Sequence, residues 1–244
     1  MKILAIIPVY NEINHIDLLI KEIEESKIEN YIDILFINNG SCDGSREVLE
    51  KKKFKVIDIT KNRGVGYALL KGTIFAKNYN YDAVIHFAGN SKMIPIEMLD
   101  FRNQLLSSKH DIIMGSRFLD RKNKIQNPIH RIFLIKISNI LLSCLYKKKI
   151  TDCSCGFRAI KLSIFKKIPM KKFIKKKLFT YGYEYYSYGC FILNKLNIHE
   201  IPATMRYPKK KYSKIRPFID WFIIILFWII PLIERKRRNE YKFN

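Results

Sequence analysis

Acidic residues are scarce in this sequence. Only 22 Asp and Glu stand against 45 Lys and Arg, a formal net charge of +23 over 244 residues. The deficit points to an anionic partner of one of three kinds: nucleic acid, an anionic membrane surface, or phosphate-bearing substrates. Paired cysteine spacing is also lacking. Cys153 and Cys155 lie one residue apart, and neither Cys42, Cys144 nor Cys190 completes a zinc-site spacing, so reduced cytosolic thiols are expected. No internal repeat or low-complexity linker interrupts the chain, apart from runs of lysine. Asn62-Arg-Gly-Val-Gly66 lacks the full glycine pattern of a dinucleotide fingerprint. No nucleic-acid recognition module accompanies the basic runs, which flank apolar segments instead; no nucleic-acid partner is expected. The start, Ile3 to Ile7 followed by Pro8, is too short and too soon interrupted for a signal peptide.

A long hydrophobic run is nearly absent too. The last apolar stretch, residues 218–233, has sixteen residues and contains Asp220 and Pro231. As a helix it would span roughly 24 Å, short of the ~30 Å hydrocarbon core. An in-plane or re-entrant helix is expected there ahead of a crossing one, with Trp221 and Trp228 at the interface and Arg235 to Arg238 against anionic headgroups; the alternative is an amphipathic helix packed on the domain. Residues 129–146 form a second run with few charges, apolar almost all round, which suits burial or a membrane interface.

What remains reads as alternating strands and helices. Strands are predicted at residues 2–10, 33–38, 55–59, 83–87 and 111–114. Helices are predicted at 12–28, after a turn at 40–45 with Ser45 as a cap, at 67–76 and at 95–106. Such alternation implies crossover units and a mainly parallel α/β sheet. Ligands of such sheets gather outside the carboxyl ends of the strands, which puts Ala88 to Met93 at the mouth of a site.

Pro8-Val-Tyr-Asn-Glu12 and Asn38-Asn-Gly-Ser-Cys-Asp-Gly-Ser45 resemble the family 2 glycosyltransferases with a GT-A fold. The likeness is greatest to the polyprenyl-phosphate sugar transferases of the dolichol-phosphate mannosyltransferase type. It continues through Asn62 to Gly66, Gly115 to Phe118, Asp152 to Arg158, Glu184, His199 to Pro202 and Tyr212 to Lys214, and covers roughly residues 1–215. The resemblance implies a Rossmann-like GT-A domain over 1–215, with 129–146 as an apolar interface helix. Residues 216–244 would be a membrane-associated segment with a basic tail. It also implies a nucleotide-sugar donor, a lipid-phosphate acceptor such as dolichyl or undecaprenyl phosphate, and work at the cytoplasmic face of a membrane. The two apolar helices leave a homo-oligomer open.

By the same resemblance Pro8, Tyr10, Glu12, Asn39, Asp43 and Gly64 line the nucleotide side. Asn39 stands where the family usually has an acid that reads the base; its amide both donates and accepts, and nearby Asp43 is a substitute. Arg117 and Arg131 match positions that grip the acceptor phosphate. An ionised phosphate needs cationic anchors and no strong base, whereas a hydroxyl acceptor does need one. The main departure is the metal motif. Where the family has Asp-x-Asp holding Mg²⁺ or Mn²⁺, this chain has Ala88-Gly89-Asn90. Ala88 offers no ligand, Asn90 one neutral oxygen, and hard divalent ions favour charged oxygens. Three readings stay open: a metal held by Asn90 and substrate phosphates, Lys92 in the metal's place, or an inactive nucleotide-sugar-binding relative. A further alternative is transfer to a saccharide hydroxyl in capsule, lipopolysaccharide or other glycan assembly, with Asp152 as base. Asn90, Lys92, Arg117 and Asp152 are the catalytic candidates.

Overall fold

The computed structural model describes residues 1–107, 109–120, 129–168, 170, 173, 182–206 and 219–240. Seven strands make one sheet in the order β3-β2-β1-β4-β6-β5-β7. They are β1 (Ile3–Val9), β2 (Asp33–Asn38), β3 (Lys55–Asp58), β4 (Ala83–His86), β5 (Ile112–Ser116), β6 (Arg158–Lys161) and β7 (Ile198–Pro202). Pairing is parallel except at β6, which lies antiparallel between β4 and β5. The expected mainly parallel sheet is therefore present.

β1 explains the layering. All but one of its residues are buried, because both sheet faces are covered. Leu4 and Ile6 point to one core and Ile3, Ala5, Ile7 and Val9 to the other, the period of two that a strand imposes. One face is covered by α1 (Ile13–Ser26) and α4 (Met98–Ser107). The other is covered by α3 (Val65–Asn78), α5 (Ile129–Tyr146), α6 (Gly182–Leu193) and α7 (Ile219–Glu240). A short α2 (Ser45–Lys51) joins β2 to β3. α3 crosses the sheet closely at Gly72, where a Cβ would come 2.4 Å from Ile6 Cγ2.

Two expectations need correction. Ser45 does not cap α2; Gly44 holds that position at φ 91°, and Ser45 is the first helical residue, its hydroxyl turned to Asp43. Trp228 is not at an interface. It is fully buried, edge-on to Tyr146 and Tyr188, because α7 packs into the same core as α6. Phe227 lies over Gly182 and Pro231 over Gly189, so the missing side chains let α6 and α7 approach. The Pro95 segment is a 3₁₀ turn (Pro95–Glu97) leading into α4. Among the described residues no helix is long and apolar enough to cross a membrane.

Among the described residues α7 exposes three large apolar side chains (Phe222, Leu226 and Ile233), whereas α5 exposes seven. Ile135, Ser138, Asn139, Leu142 and Tyr146 face inward. Its other side is apolar and exposed: Ile129 at 86 %, Ile140 at 67 % and Phe133 at 62 %, with Leu134, Ile137, Leu141 and Leu145 beside them.

Candidate functional site

The loops after β1, β2, β3 and β4 meet at the carboxyl end of the sheet, where open α/β folds bind ligands. They are laced by side-chain hydrogen bonds. The Asn11 amide N–H donates to Ser41 Oγ at 3.1 Å, and Asn11 Oδ1 accepts from Cys42 N at 3.0 Å. Ser45 Oγ accepts from Glu12 N at 2.9 Å. Asp43 accepts from Ile13 N through one oxygen, at 2.9 Å, and from the Ser45 amide and hydroxyl through the other. It thus satisfies the first orphan amide of two helices, α1 and α2. Burial pushes its carboxyl up, but the hydrogen bonds from Ser45 and Ile13 outweigh that and hold it below the usual range.

Asn39 is buried and links two loops. Its Nδ2 donates to Asn62 Oδ1 at 3.0 Å and its Oδ1 accepts from Arg63 N at 3.1 Å. Gly40, at φ 77°, lies against this loop so closely that a Cβ would come 2.7 Å from Asn62 N. Gly64 has φ 85° and ψ 157°, a conformation open to glycine, just before α3. Pro8, Tyr10, Glu12, Asn39, Asp43 and Gly64 are therefore neighbours in one loop cluster, with Glu12 buried and Tyr10 half-buried.

The loop after β4 lies across the end of β1. A Cβ on Gly89 would come 2.5 Å from Pro8 O. Asn90 Oδ1 accepts from Lys92 N at 3.3 Å. Ser91 takes φ 53°, and its hydroxyl donates to His15 O at 2.7 Å. Lys92 O accepts from Arg206 N at 2.7 Å, and Met93 bridges to Met205. These contacts bring the β1, β4 and post-β7 segments together.

On the other flank, Arg117 and Asp152 form a buried pair. Arg117 Nε and Nη2 donate to the two carboxylate oxygens at 2.7 Å each, and Nη2 also donates to Ser154 Oγ. Asn139 of α5 ties the same loop down: its Nδ2 donates to Thr151 O and its Oδ1 accepts from Cys153 N at 2.8 Å. Thr151 in turn donates its hydroxyl to Ser116 Oγ or Glu200 Oε2, both at 2.7 Å. Arg131 lies half-buried in the first turn of α5, two turns before Asn139. Beneath the mouth, Arg158 donates to the main-chain oxygens of Cys155 and Glu184. The Glu184 carboxylate lies against Gly156, where a Cβ would come 2.9 Å from its Oε1. Burial raises its pKa, and Arg158 opposes the rise.

These donors do not fit a resident divalent metal. Asn90 has its oxygen turned to its own loop, Asp43 serves two helix ends, and Asp152 chelates Arg117. Among the described residues no three His, Cys, Asp or Glu side chains converge to hold one. Lys209 to Lys211, Tyr212 and Lys214 lie outside the described residues. Asn139, Thr151 and Glu200 were not singled out as site residues, although the 129–146 run, the Asp152-to-Arg158 motif and the His199-to-Pro202 stretch contain or adjoin them.

The model of glycosyl transferase family 2 matches residues 4–169. The chain is 26 % identical over 237 residues to a UDP-N-acetylglucosamine–dolichyl-phosphate N-acetylglucosaminyltransferase of Methanococcus voltae, covering 88 % of each chain. It is 24 % identical over 215 residues to polyprenol monophosphomannose synthase of Mycolicibacterium smegmatis, covering 82 % of this chain and 76 % of the other. Its fold matches glucosyl-3-phosphoglycerate synthase of Mycobacterium tuberculosis in complex with UDP, with a TM-score of 0.71 and 15 % identity, over 94 % of this chain and 79 % of that one. The same synthase has been solved with Mn²⁺ and UDP-glucose.

Proposed function

This chain belongs to the family 2 glycosyltransferases, and from that premise we propose that it moves a sugar from a nucleotide-sugar donor to a polyprenyl phosphate at a membrane surface. The observation that carries the acceptor is α5. Its outward face is apolar, and Arg131 stands in its first turn. Exposed Lys136, within α5, and Lys147 and Lys149, just past its end, add the charge that anionic headgroups attract. Moving Ile129, Phe133 and Ile140 from water to an apolar phase favours docking by on the order of 1–2 kcal/mol each. A lipid phosphate held at the helix start leaves its tail along that face. The relatives named for dolichyl phosphate and polyprenol agree with this acceptor class.

In this reading Pro8, Tyr10, Glu12, Asn39, Asp43 and Gly64 shape the donor's nucleoside pocket. Asn39 and Asp43 act mainly as struts, since their polar atoms join loops. Arg117 and Arg131 hold the acceptor phosphate, and Asp152 keeps the Arg117 fork aimed. The bidentate pair also counts against Asp152 as a general base, and so against a saccharide hydroxyl acceptor. The cytoplasmic face, where nucleotide sugars are made, is the proposed location.

The test is product chemistry. Purified protein is given a panel of radiolabelled nucleotide sugars with undecaprenyl or dolichyl phosphate in detergent. Label that enters the lipid phase and is released by mild acid is the expected result. Label found only in an acid-stable oligosaccharide would overturn the acceptor.

A further inference from the structure

Breaking the bond between sugar C1 and the β-phosphate oxygen leaves the electron pair on that oxygen. Some cation must meet it, and placing that charge in advance is the largest lever a site has. The residues after β4 supply no carboxylate for a metal. Ala88 has no donor, Gly89 is pressed on Pro8 O, and the Asn90 oxygen accepts from Lys92 N. Yet this loop is held from both sides by defined contacts. Ser91 is kept at φ 53°, where serine is strained, by its bond to His15 O. Lys92 O is held by Arg206 N, and Met93 by its bridge to Met205. The Arg206 guanidinium itself pairs with Glu22 of α1. Two separate segments, α1 and residues 205–206, thus fix the backbone around one lysine, two residues past Asn90, at the carboxyl end of β4.

We propose that the Lys92 ammonium takes the place of a divalent metal ion and meets the diphosphate of the donor, so that donor binding and leaving-group departure proceed without a carboxylate-held metal. A compact ammonium with three donors suits a phosphate as a point charge. In the transfer, an oxygen of the acceptor phosphate forms the bond to C1 as the bond from C1 to the β-phosphate oxygen breaks. The nucleoside diphosphate leaves with the electron pair; Lys92 stays protonated, and no oxidant, reductant or proton acceptor is consumed. This inference rests on the transferase reading above.

The test is calorimetric titration of the full chain with UDP, UMP, GDP, GMP and the remaining common nucleoside diphosphates, each with excess Mn²⁺ and with EDTA. Diphosphate affinity is expected to be the same within about twofold in the two conditions. Lys92→Ala should weaken diphosphate binding about 10- to 100-fold, the range for a lost contact to a charged group, and leave the monophosphate within about threefold. Lys92→Arg should restore most of the loss, and thermal unfolding of both variants should match the wild type. The double substitution Ala88→Asp with Asn90→Asp should make diphosphate binding depend on Mn²⁺, read directly by the bound-Mn²⁺ signal in electron paramagnetic resonance. Wild-type diphosphate binding that vanishes in EDTA, or an unchanged Lys92→Ala, would overturn the proposal while leaving the transferase standing. Failure of every nucleoside diphosphate to bind in either condition would overturn both.

Discussion

α1 and α5 are two helices with similar inner faces and opposite outer ones. α1 buries Ile16, Leu19, Ile20 and Ile23 and turns Asp17, Lys21, Glu24 and Glu25 to the solvent, with Lys21 and Glu25 paired at helical spacing. α5 buries Ile135 and Leu142 and turns Ile129, Phe133, Ile137, Ile140 and Leu141 outward. The first pattern is that of a helix whose back meets water. The second leaves a contiguous apolar face of the kind that marks an interaction surface. Both helices are fastened to the mouth by polar side chains: α1 through Asp43 at its start, α5 through Asn139 and the Asp152 loop. The difference between them therefore lies in what each was built to face, not in how it is held.

The strongest way to break the comparison is to destabilise the loop to which Asn139 fastens α5. Asp152→Ala leaves the Arg117 guanidinium buried without its carboxylate, and should lower the unfolding free energy by about 3–5 kcal/mol in urea titration. Next comes the outer face. Phe133→Glu with Ile140→Glu should reduce sedimentation with vesicles of anionic lipid by about tenfold or more, while urea stability changes by less than about 1 kcal/mol. A smaller effect is expected at the α1 fastening. Asp43→Ala should cost about 1 kcal/mol, the usual loss of a helix cap. Because the folded state holds the Asp43 carboxyl below its usual pKa, that contribution is present above about pH 4. It disappears as the pH falls through the depressed value, so the melting curves of wild type and variant should converge in acid. The smallest effect is the control: Leu18→Glu, on the outer side of α1, should alter neither vesicle binding nor stability beyond about 0.5 kcal/mol.

The parts of the fold set by local pattern were legible. β2 occupies Asp33–Asn38 and α5 Ile129–Tyr146, as their apolar runs predict. Elements fixed by distant partners were not. β6 has four residues, Arg158–Lys161, and becomes a strand by slotting antiparallel between β4 and β5, a pairing no local period announces. α6 is rich in tyrosine, which favours strands, and lacks an amphipathic period because it is buried all round. At the site, the motifs gave the loop cluster, since Pro8 to Glu12 and Asn38 to Ser45 sit at strand ends that the sheet brings together. The partner of each charge was hidden. Arg117 and Asp152 are 35 positions apart, and only the β6 insertion brings their loops face to face.

The most direct test of the account pits two acceptors against each other. Wild type and the Phe133→Glu, Ile140→Glu double variant are assayed with polyprenyl phosphate in anionic vesicles and with a short-chain, water-soluble prenyl phosphate. If α5 serves as the membrane face and the cationic pair as the phosphate grip, the variant loses transfer to the vesicle acceptor and keeps transfer to the soluble one. Equal rates for wild type and variant on vesicles would contradict the account.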